Sequence, residues 1–107
     1  MTAHNSQNEI FFKTLADLVN QYEKIVYTNP QLSVEEYNQL FRIIHSVKGH
    51  AATYGCHEIA HYAHNFEEQF VSAKNSRELI SNRPLLTQFI FKVRYYINFA
   101  TLNQAVA

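Results

Sequence analysis

Cysteine, glycine, proline and tryptophan are nearly missing from this chain: its 107 residues hold one Cys, two Gly, two Pro and no Trp. A lone Cys56 cannot close an intrachain disulfide or build a thiolate metal cluster. So few glycines and prolines exclude an all-β sandwich, which needs a turn about every 8–12 residues. A few long elements are implied instead. An excess of one charge is missing too, since nine Lys and Arg balance nine Asp and Glu and the pI is near 7.0. Without a basic surplus to release counterions, nucleic acid is not an expected partner. No apolar run reaches the ~18 residues of a membrane span and nothing resembles a signal peptide, so the expectation is a cytoplasmic protein without membrane association.

What is present is enough apolar surface for a core. Hydrophobic residues make up 47% of the chain and charged residues 17%, below the roughly 25% charged of ordinary domains, which excludes disorder as the default state. Seven Tyr and eight Phe supply the large side chains that a small domain needs to bury sufficient area. The length suits one domain spanning 1–107, with residues 1–7 and the last few expected to fray.

Asn29-Pro30, Tyr54-Gly55-Cys56 and Asn82-Arg83-Pro84 punctuate the sequence and leave four segments between them. In the first, Phe12, Leu15, Val19, Tyr22 and Val26 recur at helical spacing, flanked by Phe11, Leu18 and Ile25. The second opens on Ser33-Val34-Glu35-Glu36, a capping box, and continues through Tyr37, Leu40, Ile44, Val47 and Ala51. Ile59, Ala63, Phe66 and Phe70 form the third stripe; Leu86, Ile90, Val93, Ile97 and Ala100 form the fourth, after Pro84 at a helix start. Four amphipathic helices with short connections predict an all-α, antiparallel four-helix bundle with up-down-up-down topology.

Six histidines are the unusual part of the composition, and helical position separates them. With Leu40 as zero and about 100° per residue, the second helix buries a sector near 20°, while Lys48 falls near 80°, His45 near 140° and His50 near 280°. Phe41, Gly49 and Ala52 share the His45 flank. A mid-helix glycine costs about 1 kcal/mol relative to alanine, and Gly49 sits one turn from His45, where a missing side chain admits a partner's close approach. Taken alone, His45 reads as an ordinary solvated residue; that glycine gives it company which such a residue does not require.

The run His45-Ser46-Val47-Lys48-Gly49-His50-Ala51-Ala52-Thr53-Tyr54-Gly55 resembles the H-x-x-K-G-x-x-x-x-x-G signature of histidine phosphotransfer (HPt) domains. It is most similar to the phosphoacceptor domain of chemotaxis histidine kinases, and His64-Asn65-Phe66-Glu67 resembles that family's H-x-x-E on the following helix. The likeness runs from Phe41 to Phe70. Two positions depart from it: His50 replaces a residue that is usually small, and Cys56 stands where an aromatic or aliphatic residue is common.

The resemblance implies an HPt-like bundle in a two-component phosphorelay, with His45 as phosphoacceptor, Lys48 supporting the phosphate and Glu67 orienting the imidazole. It implies a phosphoryl carrier and not an enzyme, without kinase activity of its own. The partners would be a sensor histidine kinase and a response-regulator receiver domain, the latter bringing Mg²⁺, so no cofactor is expected on this chain. Phe11, Phe12, Phe41, Gly49, Ala52 and His64 are the candidate partner-facing residues, although core packing is the commoner fate of such phenylalanines. Chemically, a carboxylate accepting from Nδ1–H holds the tautomer whose Nε2 is free to attack phosphorus.

A second pattern competes. His57-Glu58-Ile59-Ala60-His61 matches H-E-x-x-H, in which two histidines one turn apart hold zinc and the glutamate activates water. A hydrolase would also need a third ligand, for which His64 is available, and a cleft that one small bundle does not offer; no metal site is therefore expected. A third reading is a helical adaptor whose histidine no longer cycles. His4 carries no inference, and Cys56 reads as a small half-buried residue, with a low-pKa thiol as the alternative.

Overall fold

The computed structural model describes residues 2–75 and 83–106, with side chains described for 9–75 and 83–99. Four α-helices account for the regular structure: α1 (Thr2–Thr28), α2 (Val34–Thr53), α3 (His57–Asn75) and α4 (Arg83–Val106). Among the described residues there is no strand. Residues 76–82, which hold the Asn82 end of the third punctuation point, lie outside the description. The fraying expected of residues 1–7 falls on side chains outside it too, although helical backbone begins at Thr2.

The helix boundaries follow from local chemistry. Ser33 caps α2: its hydroxyl accepts from the Glu36 amide at 3.1 Å, and Glu36 Oε1 accepts from the Ser33 amide at 2.8 Å, so two backbone donors without helical partners are satisfied reciprocally. The other end of α2 closes on Gly55, whose φ of 74° is open to glycine without the penalty a Cβ would bring. The amides of Gly55 and Cys56 turn back to the carbonyls of Ala52 and Ala51 at 3.2 and 2.8 Å, a Schellman closure, and α3 starts two residues later.

Each helix packs on its neighbours in sequence, and α4 closes the ring against α1; among the described residues the diagonal pairs do not approach each other. Antiparallel order is read from cross-helix contacts. Asn38 of α2 accepts from Lys74 of α3, whereas Glu67 meets Lys48 further along. Arg83, at the start of α4, donates to the carbonyls of Val26 and Asn29 at the end of α1, capping acceptors the helix leaves open. Farther along α4, Arg94 holds Glu23 through two bonds of 2.7 and 2.9 Å and Asn20 through a third. The expected up-down-up-down bundle is the fold.

The core contains the stripe residues anticipated from spacing in α2 and α3, joined by Ile43 and Ala73. On α1 the two adjacent phenylalanines exchange roles. Phe11 is 3% exposed and stacks on Tyr54 at 4.8 Å, while Phe12 is half-buried at the margin. Phe89, absent from the expected α4 stripe, is fully buried between Tyr22 of α1 and Phe66 of α3, with both ring centroids at 4.9 Å. It joins three helices, and truncating such a ring costs about 3–5 kcal/mol. Ile97 is only half-buried, and the side chain of Ala100 lies outside the description.

Candidate functional site

On the exposed flank of α2, helical geometry places His45 one turn after Phe41 and one turn before Gly49. The imidazole is 63% exposed. It lies nearly parallel to the Phe41 ring, 14° off at a centroid distance of 6.3 Å, while Phe41 itself leans on Phe70 of the core. The turn below the imidazole is thus braced by an aromatic side chain, and the turn above it is bare.

Glu67 reaches this flank from α3. Its side chain is only 14% exposed, at the α2–α3 seam, and its two oxygens serve different partners. Oε2 is 2.9 Å from His45 Nδ1, and Oε1 accepts from Lys48 Nζ at 2.8 Å. Burial alone would raise the Glu67 pKa, but the hydrogen bonds and charges of Lys48 and His45 outweigh it and hold the carboxyl below its ordinary value. An ionised carboxylate can only accept, so Nδ1 of His45 is the donor, and in the neutral ring Nε2 then keeps a free lone pair.

Lys48, the residue expected to support a phosphate, donates its ammonium to Glu67. The sequence offered half of that signal, a lysine one turn from the histidine on the α3 side, but not the interhelical distance.

The remaining sequence candidates divide. Gly49 and Ala52 are exposed on the His45 flank and Phe41 is half-buried beside it. A Cβ built on Gly49 would meet nothing within 4 Å, so no internal contact requires the glycine. One expectation needs correction. Phe11 is a core residue at 3% exposure and offers no surface, because its ring is covered by Tyr54 and by Phe12. His64 is exposed on α3, with its Nε2 3.1 Å from Glu68 of its own helix in an i,i+4 pair. Phe12 remains half-buried on α1.

The competing zinc pattern does not gather further ligands. His57, Glu58 and His61 are exposed at the start of α3, His61 Nε2 contacts the Asn65 amide at 3.2 Å, and among the described residues no three His, Cys, Asp or Glu side chains are grouped to hold a metal. Cys56 is half-buried, and burial pushes its thiol pKa up, which opposes the reactive-thiol alternative.

A family model for the Hpt domain matches residues 9–105, so four helices, the His45 flank and the Glu67 helix all fall within the match. The chain belongs to the Hpt domain family. No curated protein and no solved structure matches it. Membership in the Hpt family supports a role in histidine phosphotransfer, and Hpt domains act as phosphocarriers. Among the described residues no helix is long and apolar enough to cross a membrane.

Proposed function

We propose that His45 is the phosphoacceptor of this Hpt domain, exchanging a phosphoryl group with the aspartate of a response-regulator receiver domain or with a sensor histidine kinase. The observation that carries the reading is one geometry: an exposed imidazole whose Nδ1 is held at 2.9 Å by a carboxylate kept ionised. Its Nε2 lone pair attacks phosphorus, the N–P bond forms as the P–O bond to the receiver carboxylate breaks, and the bonding pair leaves on that carboxylate. The Nδ1 proton stays between ring and Glu67, whose negative charge stabilises the positive charge the ring acquires.

Lys48 is the second participant. A phosphoryl group on His45 competes with Glu67 Oε1 for the ammonium, a charge already on the adjoining surface, and three phosphoryl oxygens are strong acceptors. Phosphoryl transfer needs a divalent cation held by carboxylates. A receiver domain would bring that cation and its carboxylates. Phe41, Gly49 and Ala52 form the low, partly apolar ground on which the partner would settle.

The test is direct. Incubation of the chain with a phosphorylated receiver, followed by intact-mass measurement at alkaline and acid pH, should give one acid-labile phosphoryl adduct, absent from His45→Gln. An adduct that persists in that variant moves the site elsewhere; receiver binding with no adduct on the unaltered chain favours the non-cycling adaptor.

A further inference from the structure

α4 is apolar on two opposite faces. Leu86, Phe89, Ile90 and Val93 enter the core. Directly across the helix, Phe91, Tyr95 and Phe99 are 67%, 60% and 51% exposed, with Tyr95 and Phe99 stacked at 6.2 Å. Spaced by four residues, the three rings form a continuous stripe. The outer face of α3 shows the ordinary contrast, with His57, Glu58, His61, His64 and Glu68 in solvent. A helix with a second apolar face opposite the one it buries has a surface for a second partner.

We infer that the Phe91–Tyr95–Phe99 stripe is the contact by which two copies of this chain pair, α4 against α4, about a two-fold axis at Tyr95. The stripe is self-complementary in that register. Phe91 and Phe99 each lie four residues from Tyr95, so an antiparallel second helix sets Phe91 of one copy against Phe99 of the other twice, as an isologous interface demands. A receptor for the incoming ring exists on each copy. Gln88, Phe91, Lys92 and Tyr95 stand at i, i+3, i+4 and i+7, the outline of a hole in knobs-into-holes packing, and with Pro84 and Thr87 they line a shallow cavity of about 530 Å³.

Electrostatics and area agree. The chain carries no net charge, so long-range self-repulsion does not oppose pairing. Within α4, Arg94 is committed to Glu23 of the core side. Lys92 faces position 98, an asparagine, and the two Lys92 positions are about 9 Å apart along the pair. The three rings present roughly 350 Å² per copy, and Pro84, Thr87, Gln88 and Lys92 extend this toward the ~500 Å² per copy of a minimal specific interface. Because α4 is diagonal to α2, such a pair leaves both His45 flanks uncovered. The inference stands apart from the phosphotransfer reading.

Sedimentation of the full chain from low micromolar to submillimolar concentration should show the mass rising from 12.5 kDa to twice that value, whereas Phe91→Glu with Phe99→Glu should stay at 12.5 kDa with unchanged helical circular dichroism. A single-copy mass for the unaltered chain throughout the range overturns the pairing and leaves the stripe to a different protein; a double variant that still pairs overturns the face. Cysteine placement tests the register without introducing charge. In a Cys56→Ser background, Tyr95→Cys should oxidise to a covalent pair, because that position meets itself on the axis. Phe91→Cys should not, since its two copies lie about 12 Å apart, beyond disulfide reach. Equal oxidation of the two overturns the antiparallel register.

Discussion

His45 and Glu67 stand 22 positions apart in the chain and 2.9 Å apart in space, and the same carboxylate is shared with Lys48 through its other oxygen. This bridge gives Glu67 two separable duties, fixing a ring orientation and holding an ammonium, which different substitutions expose.

Glu67→Gln keeps the shape but replaces an obligate acceptor by an amide that can present either end to Nδ1. Transfer from a phosphorylated receiver should slow by about 100-fold, the low end for groups that govern a proton at the reacting centre, while helical content is retained. Rapid-quench kinetics on the two proteins would measure this; equal rates would remove Glu67 from the reaction.

The same carboxylate links stability to pH. Its pKa in the folded chain is below the ordinary value, because the Lys48 and His45 contacts outweigh burial. A group depressed in the folded state contributes stability above its unfolded pKa and loses it as pH falls through the folded one. Thermal melts from neutral pH into the acid range should therefore show the unaltered chain more stable than Glu67→Gln at neutrality, with the gap closing below the carboxylate range. A gap that widens with acid would contradict the sign.

Gly49 separates stability from access. A Cβ there meets nothing within 4 Å, so Gly49→Ala should stabilise the bundle by about 1 kcal/mol in urea unfolding. Gly49→Leu should also fold, yet should weaken receiver binding, because a branched side chain would rise beside the imidazole. Undiminished receiver affinity in Gly49→Leu would show that the bare turn does not serve approach.

Two tyrosines with buried hydroxyls give the last contrast. The Tyr22 hydroxyl donates to the Leu86 carbonyl at 2.7 Å, whereas among the described residues the buried Tyr62 hydroxyl has no hydrogen-bond partner. Burial pushes the Tyr62 pKa up to about 12. Removing an unsatisfied buried polar group is neutral or favourable, whereas removing a made bond costs about 1 kcal/mol. Tyr62→Phe should equal or exceed the unaltered chain in chemical unfolding, and Tyr22→Phe should fall below it by about that amount.

These particulars also show what could be read from the chain before folding. Tyr37, Leu40, Ile44, Val47 and Ala51 gave the phase of α2 because polar residues occupy its other sides, and that phase put His45 on the exposed flank where it lies. Phe89 was illegible because α4 carries aromatics on both its inner and its outer face, so local spacing gives no single inward direction. The exchange between Phe11 and Phe12 is decided by Tyr54, just past the end of α2, and no local period encodes that contact. Lys48 was placed beside the histidine by spacing, but its engagement by Glu67 depends on the separation of two helices.

The left-handed joint at Gly55 makes the α2–α3 pair a hairpin. Imidazole and carboxylate therefore meet across one of the shortest closures in the molecule, and short closures take the least chain entropy and form early. The docking of α1 on α4, by contrast, joins the two ends of the chain. Sequence drift or insertion in those outer helices would alter how long the bundle survives without moving the reacting ring relative to its anchor.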